Sequence, residues 1–308
     1  MLPVTRRGLQ IALGALWTFD AALQMQPYMF TRSFADEVIA PSGDGQPWVV
    51  AAPVHLAATA VAAHPVVTNA AFALIQLLIG LGLLWRRSAR AAIFATFAWS
   101  FAVWWVGEGL GGLLGGHAML LNGAPGAVLL YAVVAAAALG DGGGDGRGEA
   151  PRGWVVSAWV ALWSFGALLQ LLPGASSASA VSDALADAAD ATPSWLHGLA
   201  ATVTSSVAHH AWVVIVLICV QVSVAAAAMV RNELRLVSVI CGGTIAVAFW
   251  VFGQGLGELA TGTSTDPNSA PLLILLGCAV AAHVKRGRPV RAGARATVGA
   301  AAPASSPA

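Results

Sequence analysis

Residues 105–116 read Trp-Val-Gly-Glu-Gly-Leu-Gly-Gly-Leu-Leu-Gly-Gly, and residues 251–262 read Val-Phe-Gly-Gln-Gly-Leu-Gly-Glu-Leu-Ala-Thr-Gly. The frame Gly-x-Gly-Leu-Gly is kept. Glu108 becomes Gln254, and a new carboxylate, Glu258, stands four residues further on. A period near 146 residues is far longer than the 20–50 residues of a solenoid and points to a duplicated multi-helix unit. The match extends outward from this stretch. Residues 15–24 (ALWTFDAALQ) return as 161–170 (ALWSFGALLQ). Pro27 pairs with Pro173, Trp48 with Trp195, Gln76 with Gln221, Arg86 with Arg231, Arg90 with Arg235, and Ala124-Pro125 with Ala270-Pro271.

Composition sets the class. Hydrophobic residues make up 58% of the 308, and charged residues 9%; soluble domains carry about a quarter charged. Apolar runs approach the ~20 residues that cross a bilayer as a helix. The expected fold is an all-α membrane protein with eight transmembrane helices. They would run over about 8–25, 66–85, 91–114, 119–139, 154–172, 207–230, 236–257 and 270–283, as two four-helix repeats. Four crossings per copy return the chain to its starting side, so the repeats are parallel. The domain plan is repeat one over 1–140, a Gly-rich linker over 141–152, repeat two over 153–284, and a basic, Ala/Pro/Ser-rich disordered tail over 285–308. Long polar segments, 27–65 and 173–206, separate the first two helices of each copy. The apolar piece 48–63, interrupted by Pro53 and His55, reads as interfacial or re-entrant.

Arginine placement orients the chain. Arg6, Arg7, Arg86, Arg87, Arg90, Arg147, Arg152, Arg231 and Arg235 share one side with the basic tail. The opposite loops hold Arg32 with Asp36, Glu37, Asp44, Asp183, Asp187, Asp190 and Asp266. By the positive-inside rule both termini are cytoplasmic, in the inner (plasma) membrane. One Lys against fourteen Arg suggests a bacterial genome of high GC content. Arg6-Arg7 before an apolar run has the look of an export signal, but a helix with a mid-chain copy reads as permanent. The lipid bilayer is the expected partner, and no nucleic acid is expected; the net charge of +1 by itself says little about partners. Cys219, Cys241 and Cys278 form no C-x-x-C pair and read as small packing residues.

Ionisable groups inside a membrane are costly and mark candidate sites. Asp20 and Glu108 fall in the outer halves of helices one and three, and His64 precedes helix two on the same side, so the three are expected to meet. Repeat two offers His209, His210, Gln254 and Glu258, with Gly166 in place of Asp20; Gln254 and Glu258, four apart, are expected on one helix face. The chemistry stays open: a proton relay, a hydrogen-bonded quinone, or metal or haem ligation with His64 and His209 as ligands. Against each stands a structural role, with histidines at headgroup depth and Glu108 tying helices together. Gly107, Gly109, Gly111, Gly112, Gly115 and Gly116 are expected to allow close helix approach. Trp99, Trp104 and Trp105 are candidates to line a ring-shaped ligand.

Residues 73–90 (ALIQLLIGLGLLWRRSAR), an apolar helix closing on Gly-Leu-Leu and an arginine turn, together with the long loop before it, resemble the DoxX/DoxD-like membrane family, here in tandem. Gln76 stands where many members have a carboxylate. The resemblance implies a membrane subunit of a redox system that includes thiosulfate:quinone oxidoreductases, with quinone nearby and other membrane or periplasmic redox proteins as partners. Two further classes remain open, a proton- or ion-coupled small-solute transporter and a non-catalytic assembly protein. Whether the chain is an enzyme is not decided by these residues.

Overall fold

A computed structural model describes residues 4–140, 149–230 and 232–284; most of the expected linker and the whole tail fall outside them. Among the described residues all regular structure is helical. The first half holds α1 (Arg6–Leu23), α2 (Trp48–Ala63), α3 (Pro65–Leu84), α4 (Ala89–Val106) and α5 (Ala127–Ala138). The second holds α6 (Val155–Leu169), α7 (Ala178–Asp190), α8 (Ser194–Val207), α9 (Trp212–Val230), α10 (Asn232–Phe252) and α11 (Ser269–Ala281).

Four of these, α3, α4, α9 and α10, are long and apolar enough to cross a membrane. Their outward faces carry exposed Leu74, Leu78, Phe94, Phe101, Ile215 and Ile240. Apolar surface on this scale is unfavourable in water and natural against lipid tails. The shorter apolar helices α5, α6 and α11 are largely buried between them.

Within each half the neighbours run in the same cyclic order. In the first, α1 packs on α3, α3 on α4, α4 on α5, and α5 on α1. In the second, α6 packs on α9, α9 on α10, α10 on α11, and α11 on α6. The halves join through α5 against α11, over one shared core that includes Trp17, Tyr131, Trp159 and Trp163. The α1–α3 crossing is tight because both backbones are bare at the contact: a Cβ on Gly80 would sit 2.5 Å from Thr18 Oγ1, and one on Gly14 would sit 2.9 Å from Gly80 O. Small residues at crossings are how helices associate where no hydrophobic force separates them from lipid.

At the arginine-rich end, Arg7 donates to the carbonyls of Leu83 and Leu84, and Arg235 donates to Ala228 O at 3.1 Å. Each guanidinium thereby satisfies the free carbonyls, and the negative dipole end, of α3 or α9. Arg6 pairs with Glu149 at 2.7 Å. At the opposite end, a π-helical turn (Phe34–Ile39) and α2 enclose a small apolar core of Met29, Phe34, Ile39, Val50 and Val54 that caps the first half. Segment 48–63 is thus a regular helix, with Pro53 inside it and Trp48 81% exposed at its start.

The glycine-rich stretches overturn one expectation. They do not continue their helices. Helix α4 stops at Val106 and α10 at Phe252, and each glycine run forms a left-handed turn. Gly109, Leu110, Gly111 and Gly112 have φ of 52°, 57°, 65° and 70°; Gly255, Leu256, Gly257 and Glu258 have 52°, 59°, 69° and 57°. Glycine is required here because successive residues occupy the region that L side chains avoid. It is also required for space, since a Cβ on Gly111 would collide with the Pro125 carbonyl. Consequently α5 and α11 begin late. At twelve residues, α5 spans about 18 Å, well short of a ~30 Å hydrocarbon core.

The turns also revise the internal alignment. Trp104 Nε1 donates to Pro125 O at 2.7 Å, and Trp250 Nε1 donates to Pro267 O at 2.8 Å. Pro125 therefore corresponds to Pro267, and not to Pro271; the loop of the second half is four residues shorter.

Candidate functional site

The left-handed turn determines where Glu108 points. Released from α4, its Oε1 accepts the Val128 N–H at 3.2 Å, in the first turn of α5. Orphan N–H groups and the positive dipole end make a helix start a natural carboxylate seat. The other oxygen, Oε2, is buried without a hydrogen-bond partner, against Gly126, where a Cβ would collide with it.

Glu108 forms part of the wall of a cavity of about 180 Å³ beneath the cap. Asp20 and Gln24 enter from α1, Gln76 and Phe72 from α3, Trp99 from α4, and Phe34 from the π-turn. Asp20 is 1% exposed, Gln24 4% and Gln76 7%. Neither Asp20 oxygen has a hydrogen-bond partner, nor do Gln24 Oε1, Gln76 Oε1 or Trp99 Nε1. Tyr131 turns its hydroxyl toward Asp20, but outside hydrogen-bonding geometry. Buried polar groups are nearly always paired. A cluster of unpaired ones around a void marks a place where a ligand, a proton or water completes the set.

The last wall residue, Asp266, comes from the second half. It sits in the loop between the second glycine turn and α11, held by the Asn268 N–H at 2.7 Å and the Thr265 hydroxyl at 3.0 Å. Burial raises the Asp266 carboxyl above the usual carboxylate range. Both carboxylates also line an open cleft of about 380 Å³ on the other side, with Ser42, Asp44, Gln46, His117 and Asn122. Glu108 and Asp266 thus stand between the inner cavity and the outer surface.

The contact between halves is reciprocal. Gln26 reaches into the second half's loop, donating to Ser264 O at 2.9 Å. In return, Leu121 of the first half accepts from Gln254 Nε2 at 3.4 Å. His117, Met119 and Asn122 line a second open cleft, of about 560 Å³, with Asp183, Asp187, Gln254 and Glu258. Position 166 is glycine where the first half has Asp20, and the space is taken: a Cβ there would meet Leu120, and would collide with the Gln221 amide oxygen.

Of the residues singled out from sequence, Asp20 and Glu108 share the cavity, together with Trp99. His64 does not join them; it is exposed at the junction of α2 and α3. His209 and His210 are exposed ahead of α9, with His210 edge-on to Trp212 at 5.7 Å. Gln254 is buried and Glu258 exposed, on either side of the left-handed turn, so they share no helix face. Trp104 is committed to Pro125, and Trp105 packs on Phe101. Among the described residues no group of three His, Cys, Asp or Glu is spaced to hold a metal ion. Asp266, Gln24 and Gln76 were not singled out as site residues. Gln76 and Gln24 were visible as matched positions, while Asp266 looked like any outer-loop acid. Comparisons with protein-family profiles, with curated proteins and with solved structures returned no match.

Proposed function

We propose that the chain is a multi-pass membrane protein of eight spans, built as two parallel four-helix units, and that its first unit carries an outward-facing site for a small solute, used in proton- or ion-coupled transport. The cap side would be extracytoplasmic and the arginine-rich end cytoplasmic. The observation that carries this reading is the pair of carboxylates shared by cavity and cleft. A membrane-embedded acid whose proton or charge is exchanged at the mouth of a binding cavity is the usual device for coupling solute movement to an ion gradient. The one-sidedness of the site fits an outward-open arrangement, in which parallel units rock about a site near their interface.

A second reading is favoured by the apolar and aromatic walls. A hydroquinone headgroup carries two O–H donors and a ring, and Asp20 with Gln76 supplies acceptors for them. This is the quinone-linked, redox-associated subunit implied by the DoxX/DoxD-like resemblance, with membrane or periplasmic redox partners.

Reconstituted vesicles separate the two. Under the transport reading, an imposed proton gradient drives solute accumulation, and Glu108→Gln reduces it at least tenfold while the protein still elutes as a folded species. Under the redox reading, quinone co-purifies from native membranes in stoichiometric amount and no accumulation occurs. If Glu108→Gln behaves as the parent in both assays, the site assignment fails.

A further inference from the structure

The cavity is rich in acceptors. Its wall holds Asp20, Glu108 and Asp266, and among the described residues none that line it is Lys, Arg or His. Asp20 is essentially inaccessible and both its oxygens are without hydrogen bonds. A buried carboxylate in that position calls for a proton or a positive charge, because an uncompensated charge in an apolar interior is strongly unfavourable. No fixed cation of the wall provides one. The rest of the wall is largely apolar and includes four aromatic residues: Trp17, Phe34, Phe72 and Trp99 line the same space, and the Phe72 and Trp99 rings lie 5.5 Å apart. Aromatic faces beside a carboxylate are the chemistry that holds organic ammonium groups.

We propose that this cavity binds a small organic monocation, a protonated amine of short alkyl length, with its N–H groups on Asp20 and its carbon chain against the aromatic wall. A bare metal ion fits less well, since no three acidic or histidine side chains among the described residues are spaced to coordinate one. An anion would meet an acceptor-rich wall, and a neutral solute could not itself compensate an ionised Asp20. The volume of about 180 Å³ suits a headgroup with a few carbons. Glu108 and Asp266, facing both the cavity and the outer cleft, form an acidic entrance that concentrates cations. The matching place in the second half differs: glycine replaces Asp20, an amide replaces Glu108, and Gln221 with Leu120 crowds the space.

This rests on the cavity being a ligand site, but not on transport. The test is calorimetric titration of the full-length protein in detergent with n-butylammonium, n-butanol and butyrate. The expected result is saturable binding of n-butylammonium, at least tenfold tighter than n-butanol, with no butyrate binding. Asp20→Asn should weaken n-butylammonium at least tenfold, while Glu258→Gln, in the other cleft, leaves it unchanged. Should Asp20→Asn not yield folded protein by size exclusion and melting, Ala102→Phe fills the cavity from its α4 wall and should abolish binding. Equal affinity for butanol, or undiminished binding in Asp20→Asn or Ala102→Phe, overturns the proposal. Ammonium binding without vesicle uptake leaves the site standing and removes transport; proton-driven uptake of other solutes without ammonium binding does the reverse.

Discussion

Glu108 serves structure and chemistry with different oxygens. Oε1 closes the start of α5 through Val128, and Oε2 lies unpaired against Gly126. Glu108→Gln keeps an oxygen for the Val128 N–H, whereas Glu108→Ala leaves that donor unpaired, a loss of about 1–3 kcal/mol. Melting temperature in detergent is expected to fall more in Glu108→Ala than in Glu108→Gln. Equal melting of the two variants would mean that the Val128 contact contributes nothing to the start of α5.

At the scale of elements, the left-handed turns after α4 and α10 are the features that create a site. They end two helices early, shorten the helices that follow, and lay turn backbone beside two clefts. Three of the four left-handed positions in the first turn are glycine, and two in the second. Glu258, at φ 57°, occupies the place that Gly112 takes in the first copy. An L residue there costs about 1–2 kcal/mol, partly offset by glycine's greater loss of entropy on folding, roughly 0.5–1 kcal/mol. Glu258→Gly should therefore raise the thermal stability slightly. Gly257→Ala should lower it, because its Cβ would sit 2.7 Å from Pro267 as well as occupy a left-handed conformation. Differential scanning fluorimetry of the two variants reads both signs.

At the scale of the whole molecule, neither half is complete alone. Asp266 of the second half closes the cavity of the first, and the loop holding His117 and Asn122 lines the cleft of the second. Tryptophans of both halves fill one core around α5 and α11. Expressed separately, residues 1–152 and 153–308 should each be degraded or protease-sensitive in membranes, whereas co-expression should restore a protease-resistant pair that purifies together. Two independently stable halves would contradict the exchange of loops as a folding requirement.

Much of the fold was legible because it follows from local chemistry. Apolar runs and sparse charge set an all-helical chain with helices long enough to cross a membrane, and the boundaries of α1, α3 and α9 fell within a few residues of those expected. The pairing of Asp20 with Glu108 was also legible, since two acids in apolar runs at similar depth have few other places to go. What could not be read locally was the role of the glycines. The same residues serve a close helix crossing or a left-handed turn, and the choice depends on Pro125 and Ser42 pressing on them from distant parts of the chain. His64 left the site for a similar reason: its place at the α2–α3 junction follows from α2 folding as a helix under the cap. The sequence by itself determined the all-helical class, the long apolar helices and the placing of Asp20 and Glu108 at similar depth. Only the tertiary structure decided that Asp266 completes their site, because a residue 158 positions from Glu108 becomes its neighbour through the packing of one half against the other, a property that no local pattern encodes.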